Sequence, residues 1–250
     1  MFSTNPFAAV IDVVPAGLVQ SFVVLMAFAV AIGTVLDVYH KGSGRYFAQR
    51  RARAKAAARR PMNAMRKATA VVKGLAEASV SGEFCKWNRR LSHLLMMYGF
   101  ILYVIATVML VFALPEAAAP GPWVALWDLG ALMILAGGAW FFFFLRVNVA
   151  YDGDSRFHVG RADLFVLLLM GSALLGLLWH GVQALSASAG LNLTLFGIYL
   201  FFTALLFLSV PWSKFSHMFY KPAVAVQRKL EEASGASDLP DPTPRRRTRS

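Results

Sequence analysis

The sequence predicts an all-α membrane protein: five transmembrane helices in a bundle, with the N-terminus outside and the C-terminus cytoplasmic. Three observations carry this expectation. The 250 residues are 58% hydrophobic and only 15% charged, with a mean hydropathy of +0.55, which is too apolar for a water-soluble domain of this length. Five windows, at about 16–39, 91–114, 124–147, 162–184 and 194–217, are long enough to cross ~30 Å of hydrocarbon, which takes about 20 helical residues. The basic residues then fall on one side: fourteen Lys/Arg lie in 41–90, three more are Arg146, Arg156 and Arg161, and eight follow from Lys214 onward. The opposite-side segments hold Asp12, Glu116 and the uncharged stretch from Ser186 to Asn192, and none of the 25 cations. Positive charge marks the cytoplasmic face, so the net charge of +12 is accounted for without nucleic acid as a partner.

In chain order, residues 1–39 form a short outer N-terminus and the first span. Met1 to Asn5 holds no basic residue and the apolar run continues for a full span, so no cleaved signal peptide is expected. Residues 40–90 form a basic cytoplasmic loop. Its first part, GRYFAQRRARAKAAARR (44–60), is rich in helix formers. After Pro61, MNAMRKATAVVKGLAEA (62–78) is more amphipathic, with Met65, Val71, Val72 and Leu75 forming a partial apolar stripe. Two readings stand for this loop: a helix lying on anionic membrane lipid, or a docking surface for a soluble partner. A four-helix membrane core follows over 91–217. Its interior is Leu, Phe, Val and Ala, with small-residue breaks at 136–139 (AGGA) and 171–173 (GSA) that let helices, or a flat cofactor, approach closely. Residues 218–250 form a cytoplasmic tail, read as disordered from Glu232 on its Ser, Pro and Asp content.

The chemistry-bearing residues are few. One cysteine, Cys85, leaves no disulfide framework, zinc site or iron–sulfur ligand set, so iron–sulfur chemistry must sit on another chain. Asp37, Asp128 and Asp163 all stand near predicted span ends, and the lack of midplane charge disfavours a small transporter. Five histidines remain. His93 falls in the first turn of the second span and His217 in the last turn of the fifth, at one depth near the cytoplasmic surface on antiparallel helices. A haem iron needs two such donors on opposite faces of its ring, and the other reading is a pair of interfacial histidines. Lys86, Arg89, Arg90, Lys214 and Lys221 lie within about two turns and suit anionic propionates. Pro211 precedes His217 by six residues and is expected to kink the fifth span.

His180 lies 19 residues beyond Arg161, about 28 Å in depth, and so cannot share an iron with His93 and His217. Three readings stay open for it: ligand to an outer haem, partner to a quinone carbonyl beside Trp179 and Tyr199, or an interfacial histidine. His40, in VLDVYHKGSGRYF, is either a quinone or proton-relay residue at the inner end of the first span or an interfacial one. His158, in YDGDSRFHVGR, reads as solvated.

The runs WNRRLSHLLMMYGF (87–100) and PWSKFSHMFYKP (211–222) resemble the haem-bearing helices of the nitrate reductase gamma-subunit-like membrane cytochromes b. That group includes the membrane parts of heterodisulfide reductase, of the quinone-interacting oxidoreductase of sulfur metabolism and of the tricarballylate-utilisation cytochrome, and the membrane anchor of adenylylsulfate reductase. The resemblance covers roughly 87–222. It implies a five-helix cytochrome b subunit in a bacterial or archaeal cytoplasmic membrane, passing electrons between a cytoplasmic iron–sulfur or flavin partner and the quinone pool. It also implies that His93 and His217 ligate a cytoplasmic-side haem b. Diheme members carry a second histidine on each of the two helices. Near those positions stand Tyr103 and Tyr199, which puts a second haem in doubt. The rival reading is a haem-free membrane anchor that tethers a soluble redox enzyme.

Overall fold

Apolar helices of spanning length alternate with short connections and give way, in two places, to shorter polar helices. The computed structural model describes residues 4–80, 86–116, 121–146, 159–160, 163–185, 188–210, 213 and 217–237. Among them all regular structure is helical: α1 (Ala16–His40), α2 (Ser43–Ala56), α3 (Ala64–Ser79), α4 (Trp87–Val108), α5 (Trp123–Trp140), α6 (Leu164–Ala184), α7 (Ala189–Leu208) and α8 (His217–Ser234). A wider π-helical turn extends α4 over Met109–Ala113 and α5 over Phe141–Leu145. Five helices, α1, α4, α5, α6 and α7, are long and apolar enough to cross a membrane.

The first four agree with the expected windows to within a few residues. The fifth does not. α7 starts at Ala189, where the Ser188 side chain accepts from Leu191 N–H, and ends at Leu208 instead of reaching 217. Proline disfavours helical backbone in the residue before it and has no N–H to donate, so a helix ending just short of Pro211 is the local consequence. The expected kink within a longer span is replaced by a helix end, and His217 opens a new helix, α8. Pro211, Lys214, Cys85 and His158 lie outside the described residues, as does the tail from 238.

The chain divides into two units, residues 1–37 with 84–216, and residues 38–83 with 217–250. The first is the helical bundle. Its centre is the pair α4–α5, which approach until backbone meets backbone. A Cβ on Gly137 would stand 2.8 Å from Ser92 O, one on Gly130 2.8 Å from Tyr103 N, and one on Gly99 2.9 Å from Gly130 O. On α4 the small residues Ser92, Gly99 and Ala106 recur every seventh position, as do Gly130 and Gly137 on α5, which is the repeat of a left-handed crossing. Ser92 Oγ donates to Gly137 O at 2.9 Å across this seam. The other glycine notches are filled by side chains: Met170 of α6 occupies the space at Gly138, and Phe202 of α7 that at Gly171. The small-residue breaks therefore serve helix packing.

The π-helical turn on α4 lets carbonyls escape the helix ladder, and unsatisfied carbonyls are costly away from water. Amide side chains supply the partners. Asn5 Nδ2 donates to Leu110 O at 3.2 Å and to Leu114 O at 2.8 Å, and Gln20 Nε2 of α1 donates to Val111 O at 3.0 Å. At the opposite end of the bundle, Arg146 pairs with Asp163 and lies over the Phe142 ring at 4.3 Å, while Arg89 Nη2 donates to Leu145 O at 3.1 Å.

The second unit joins the loop helices α2 and α3 to α8, so the expected loop and tail form one body. Gly42, with φ of +63°, supports the left-handed turn that starts α2 only two residues beyond α1. Asn63 caps α3 through Arg66 N–H at 2.8 Å. α3 and α8 cross at Gly74, where a Cβ would stand 2.6 Å from Val226 Cα. Arg50 of α2 grips Glu231 of α8 through two bonds of 2.9 and 2.7 Å, and Glu77 of α3 pairs with Arg228 and Lys229. Backbone N–H groups of Arg59 and Arg60 donate to Ser234 O at 2.9 and 3.0 Å, so the chain from Glu232 to Ser234 is helical and capped where the sequence predicts disorder.

The Arg228 hydrogen bond holds the Glu77 carboxyl below its usual range, and the Arg50 bond does the same for Glu231. Glu232 raises Lys229 above its ordinary value. A depressed carboxyl stabilises the fold above its unfolded value, about 4.3, and loses that contribution as pH falls through its folded value. A raised lysine contributes below about 10.4 and loses it as pH rises through its folded value.

Gly137→Ala will destabilise the purified chain by about 1–3 kcal/mol through overpacking, read by thermal unfolding in detergent, whereas Gly197→Ala, with no atom within 4 Å of its Cβ, will be neutral or mildly stabilising. A spin label at Val224→Cys, in a Cys85→Ala background, will keep one line shape between about pH 5 and pH 10 and sharpen below. In an Arg50→Ala chain that label is mobile already at neutral pH.

Candidate functional site

The sequence-selected residues separate between the two ends of the bundle and between the two units. His93 stands half-buried on α4, beside Ser92, whose hydroxyl meets Gly137. Arg89 and Lys86 are exposed, and Arg90 lies over the Trp87 ring at 5.7 Å. His217 is the first residue of α8 and belongs to the three-helix unit; its side chain lies outside the described residues. It does not occupy the last turn of a spanning helix, because α7 ends nine residues earlier. His40 ends α1, exposed, with its ring edge-on to Tyr39 at 6.1 Å.

The other end of the bundle holds the most densely organised polar chemistry in it. His180 of α6 is 1% exposed, and its Nδ1 lies 2.9 Å from Asp128 Oδ1 of α5. Asp128 is nine residues before Gly137 on α5, about 14 Å of helical rise, so this dyad and the His93 neighbourhood are separate sites. A buried polar side chain is costly without a partner, and the imidazole and carboxylate supply one to each other.

Around the dyad is an aromatic cluster. Tyr103 Oη donates to Tyr199 Oη at 3.2 Å. Trp127 stacks on Tyr103 at 4.8 Å and Trp179 on Tyr199 at 5.7 Å, while Phe7 meets both indoles edge-on. The indole N–H groups are satisfied: Trp127 donates to Thr107 Oγ1 at 2.9 Å and Trp179 to Asn192 Oδ1 at 2.7 Å. Gln183 Nε2 ties Asn192 to the N-terminal segment by donating to Pro6 O at 3.1 Å. Gly176 makes room for all this, since a Cβ there would stand 2.5 Å from Tyr103 Oη.

This packing bears on the second haem. Tyr103 and Tyr199 stand near the positions where diheme relatives of the resembled family carry histidines, and here the two side chains touch one another. A haem iron takes its two axial donors from opposite faces of the ring, whereas these two phenols are hydrogen-bonded to each other and each is stacked against an indole. The residues present do not fit a second haem. His180, Trp179 and Tyr199, read together as quinone contacts, are indeed neighbours, but they are enclosed by the cluster. Among the described residues no three of His, Cys, Asp or Glu are grouped as a metal site.

Depth matching pairs His93 with His217 and sets His180 apart from both, and the residue it leaves unmatched to His180 is Asp128. Asp128 lies near the start of α5 and His180 near the end of the antiparallel α6, so depth matching would have paired them. Asn5 carried no sequence signal, because nothing local shows that a wide turn in α4 needs a donor. In comparisons with known proteins, no family model, curated protein or solved structure matches the chain.

The dyad generates a stability prediction. Asp128→Asn keeps a hydrogen-bond acceptor for His180 and will unfold close to the parent. Asp128→Leu strands a buried imidazole N–H and will cost about 1–3 kcal/mol by thermal unfolding in detergent.

Proposed function

We propose that the chain is the membrane cytochrome b subunit of an oxidoreductase complex. It sits in a bacterial or archaeal cytoplasmic membrane, N-terminus outside, and passes electrons between a cytoplasmic iron–sulfur or flavin protein and the quinone pool. The observation that carries the reading is the resemblance of the His93 and His217 runs to haem-bearing helices, on a chain with five helices of spanning length. When bound, haem b supplies one-electron transfer. His93 and His217 would hold it, with Arg89, Arg90 and Lys214 answering the propionates. The reading takes one haem per chain, a choice supported by Tyr103 and Tyr199 standing in mutual contact near the other family position.

The remaining parts of the reading concern protons and partners. In the outer half, His180 is the candidate hydrogen-bond partner for a quinone carbonyl beside Tyr199 and Trp179, and because the three are enclosed a headgroup reaches them only where the cluster opens. His40 is the corresponding candidate near the inner surface. Since the chain has one cysteine, the electron partner brings its own cluster or flavin, and the cations from Lys86 to Arg90 attract an acidic surface.

A haem-free anchor is the second reading, and one observation favours it: His217 heads a helix in the unit that does not contain His93. Pyridine-haemochrome quantification on the intact complex separates the two. One haem b per chain is expected, with the reduced-minus-oxidised band lost in both His93→Ala and His217→Ala and retained in His180→Ala. A His217→Ala chain with the full band removes the ligand assignment, and an absence of haem in the parent complex leaves the anchor.

A further inference from the structure

Within the three-helix unit, α3 and α8 leave an open hollow of about 740 Å³ between them. Arg60, Arg66, Lys73 and Lys229 line it, over a floor that includes the buried Ala70. Its one acidic wall residue, Glu232, is held by Lys229 at 2.8 Å, and Lys229 also reaches Glu77 at 3.2 Å. Arg60, Arg66 and Lys73 thus leave a positive excess facing the hollow.

The same helix carries a second feature. Met65, Val72 and Leu75 are 74%, 65% and 46% exposed on α3, well above what a water-facing helix needs. A helix turns about 100° per residue, so Arg66 and Lys73, each one residue beyond Met65 and Val72, stand on the flank of that stripe. Beyond them the packed residues Ala70 and Gly74 face α8. Around α3 the order is therefore apolar stripe, cation row, protein contact. That order suits a helix at a bilayer surface, whose apolar stripe enters the acyl boundary while the cations stop at the level of the phosphates. A soluble acidic partner would match the cations but leave the exposed methionine and valine unexplained.

We propose that the α3–α8 hollow binds the phosphate of an anionic phospholipid headgroup, with Met65, Val72 and Leu75 seated in the adjoining acyl region. Arg60 and Arg66 offer planar guanidinium donors to phosphate oxygens and Lys73 a mobile third charge. The site depends on the cationic hollow and the stripe together, and is independent of whether the chain carries haem.

The test uses the full chain in nanodiscs, with Ala76→Cys in a Cys85→Ala background carrying an environment-sensitive fluorophore at the edge of the stripe. The nanodiscs contain brominated phosphatidylcholine alone or with increasing phosphatidylglycerol. Quenching that rises with phosphatidylglycerol content is expected, weakened about fivefold for each of Arg60, Arg66 and Lys73 replaced by alanine. Arg66→Lys and Lys73→Arg keep the charge and should keep the quenching, which separates loss of the site from loss of the helix. Lys67→Ala, on α3 but outside the hollow, should change little; an equal effect there would mean diffuse charge and would overturn the site. Loss of the lipid dependence on adding inorganic phosphate at matched ionic strength would assign the hollow to a free phosphate compound instead. A fluorophore unquenched in every lipid, but protected by an acidic protein partner, would overturn the proposal in favour of protein docking.

Discussion

The bundle depends on one contact, the approach of α4 and α5 at Gly99, Gly130 and Gly137 to a distance at which no larger residue fits. Apolar helices of spanning length are alike on most faces, so what selects this pair is close van der Waals contact and short hydrogen bonds such as Ser92 to Gly137. The side chains on either side are then fixed in register. Tyr103 lies beside Gly130, which puts its ring against Trp127 and its hydroxyl within reach of Tyr199. α6 and α7 complete the arrangement by filling notches, with Met170 at Gly138 and Phe202 at Gly171.

That close pairing leaves a demand at the helix ends. Where α4 widens into its π-helical turn, carbonyls at 110, 111 and 114 take donors from Asn5 and Gln20, which come from outside the four-helix core. The N-terminal segment is thereby held against the aromatic cluster, with Phe7 between Trp127 and Trp179. The enclosed His180–Asp128 pair is a consequence: two titratable groups share one hydrogen bond in a region where neither is tolerated alone.

The three-helix unit is held together by polar contacts. Its contacts are ion pairs and a glycine crossing, with Arg50 to Glu231 and Glu77 to Arg228 and Lys229 joining three segments distant in sequence. What remains uncovered on α3 is apolar on one flank and cationic on the next. The unit also changes the standing of His217, which heads one of its helices instead of closing a span.

By itself the sequence determined the helical class, the number of apolar helices and most of their limits, because hydropathy over about 20 residues and the scarcity of interior charge are local properties. It also located the candidate chemistry, since only five histidines and one cysteine are present. Tertiary structure decided which of those residues meet. The end of α7 before Pro211 was locally legible and was missed in favour of a longer apolar window; the docking of α8 onto α2 and α3 was not legible, because its ion pairs link residues 151 and 181 positions apart. The partnership of Tyr103 with Tyr199 was likewise hidden. The two hydroxyls come from α4 and α7, 96 positions apart, and meet in room that Gly176 of α6 leaves open, so nothing local to either tyrosine shows the contact.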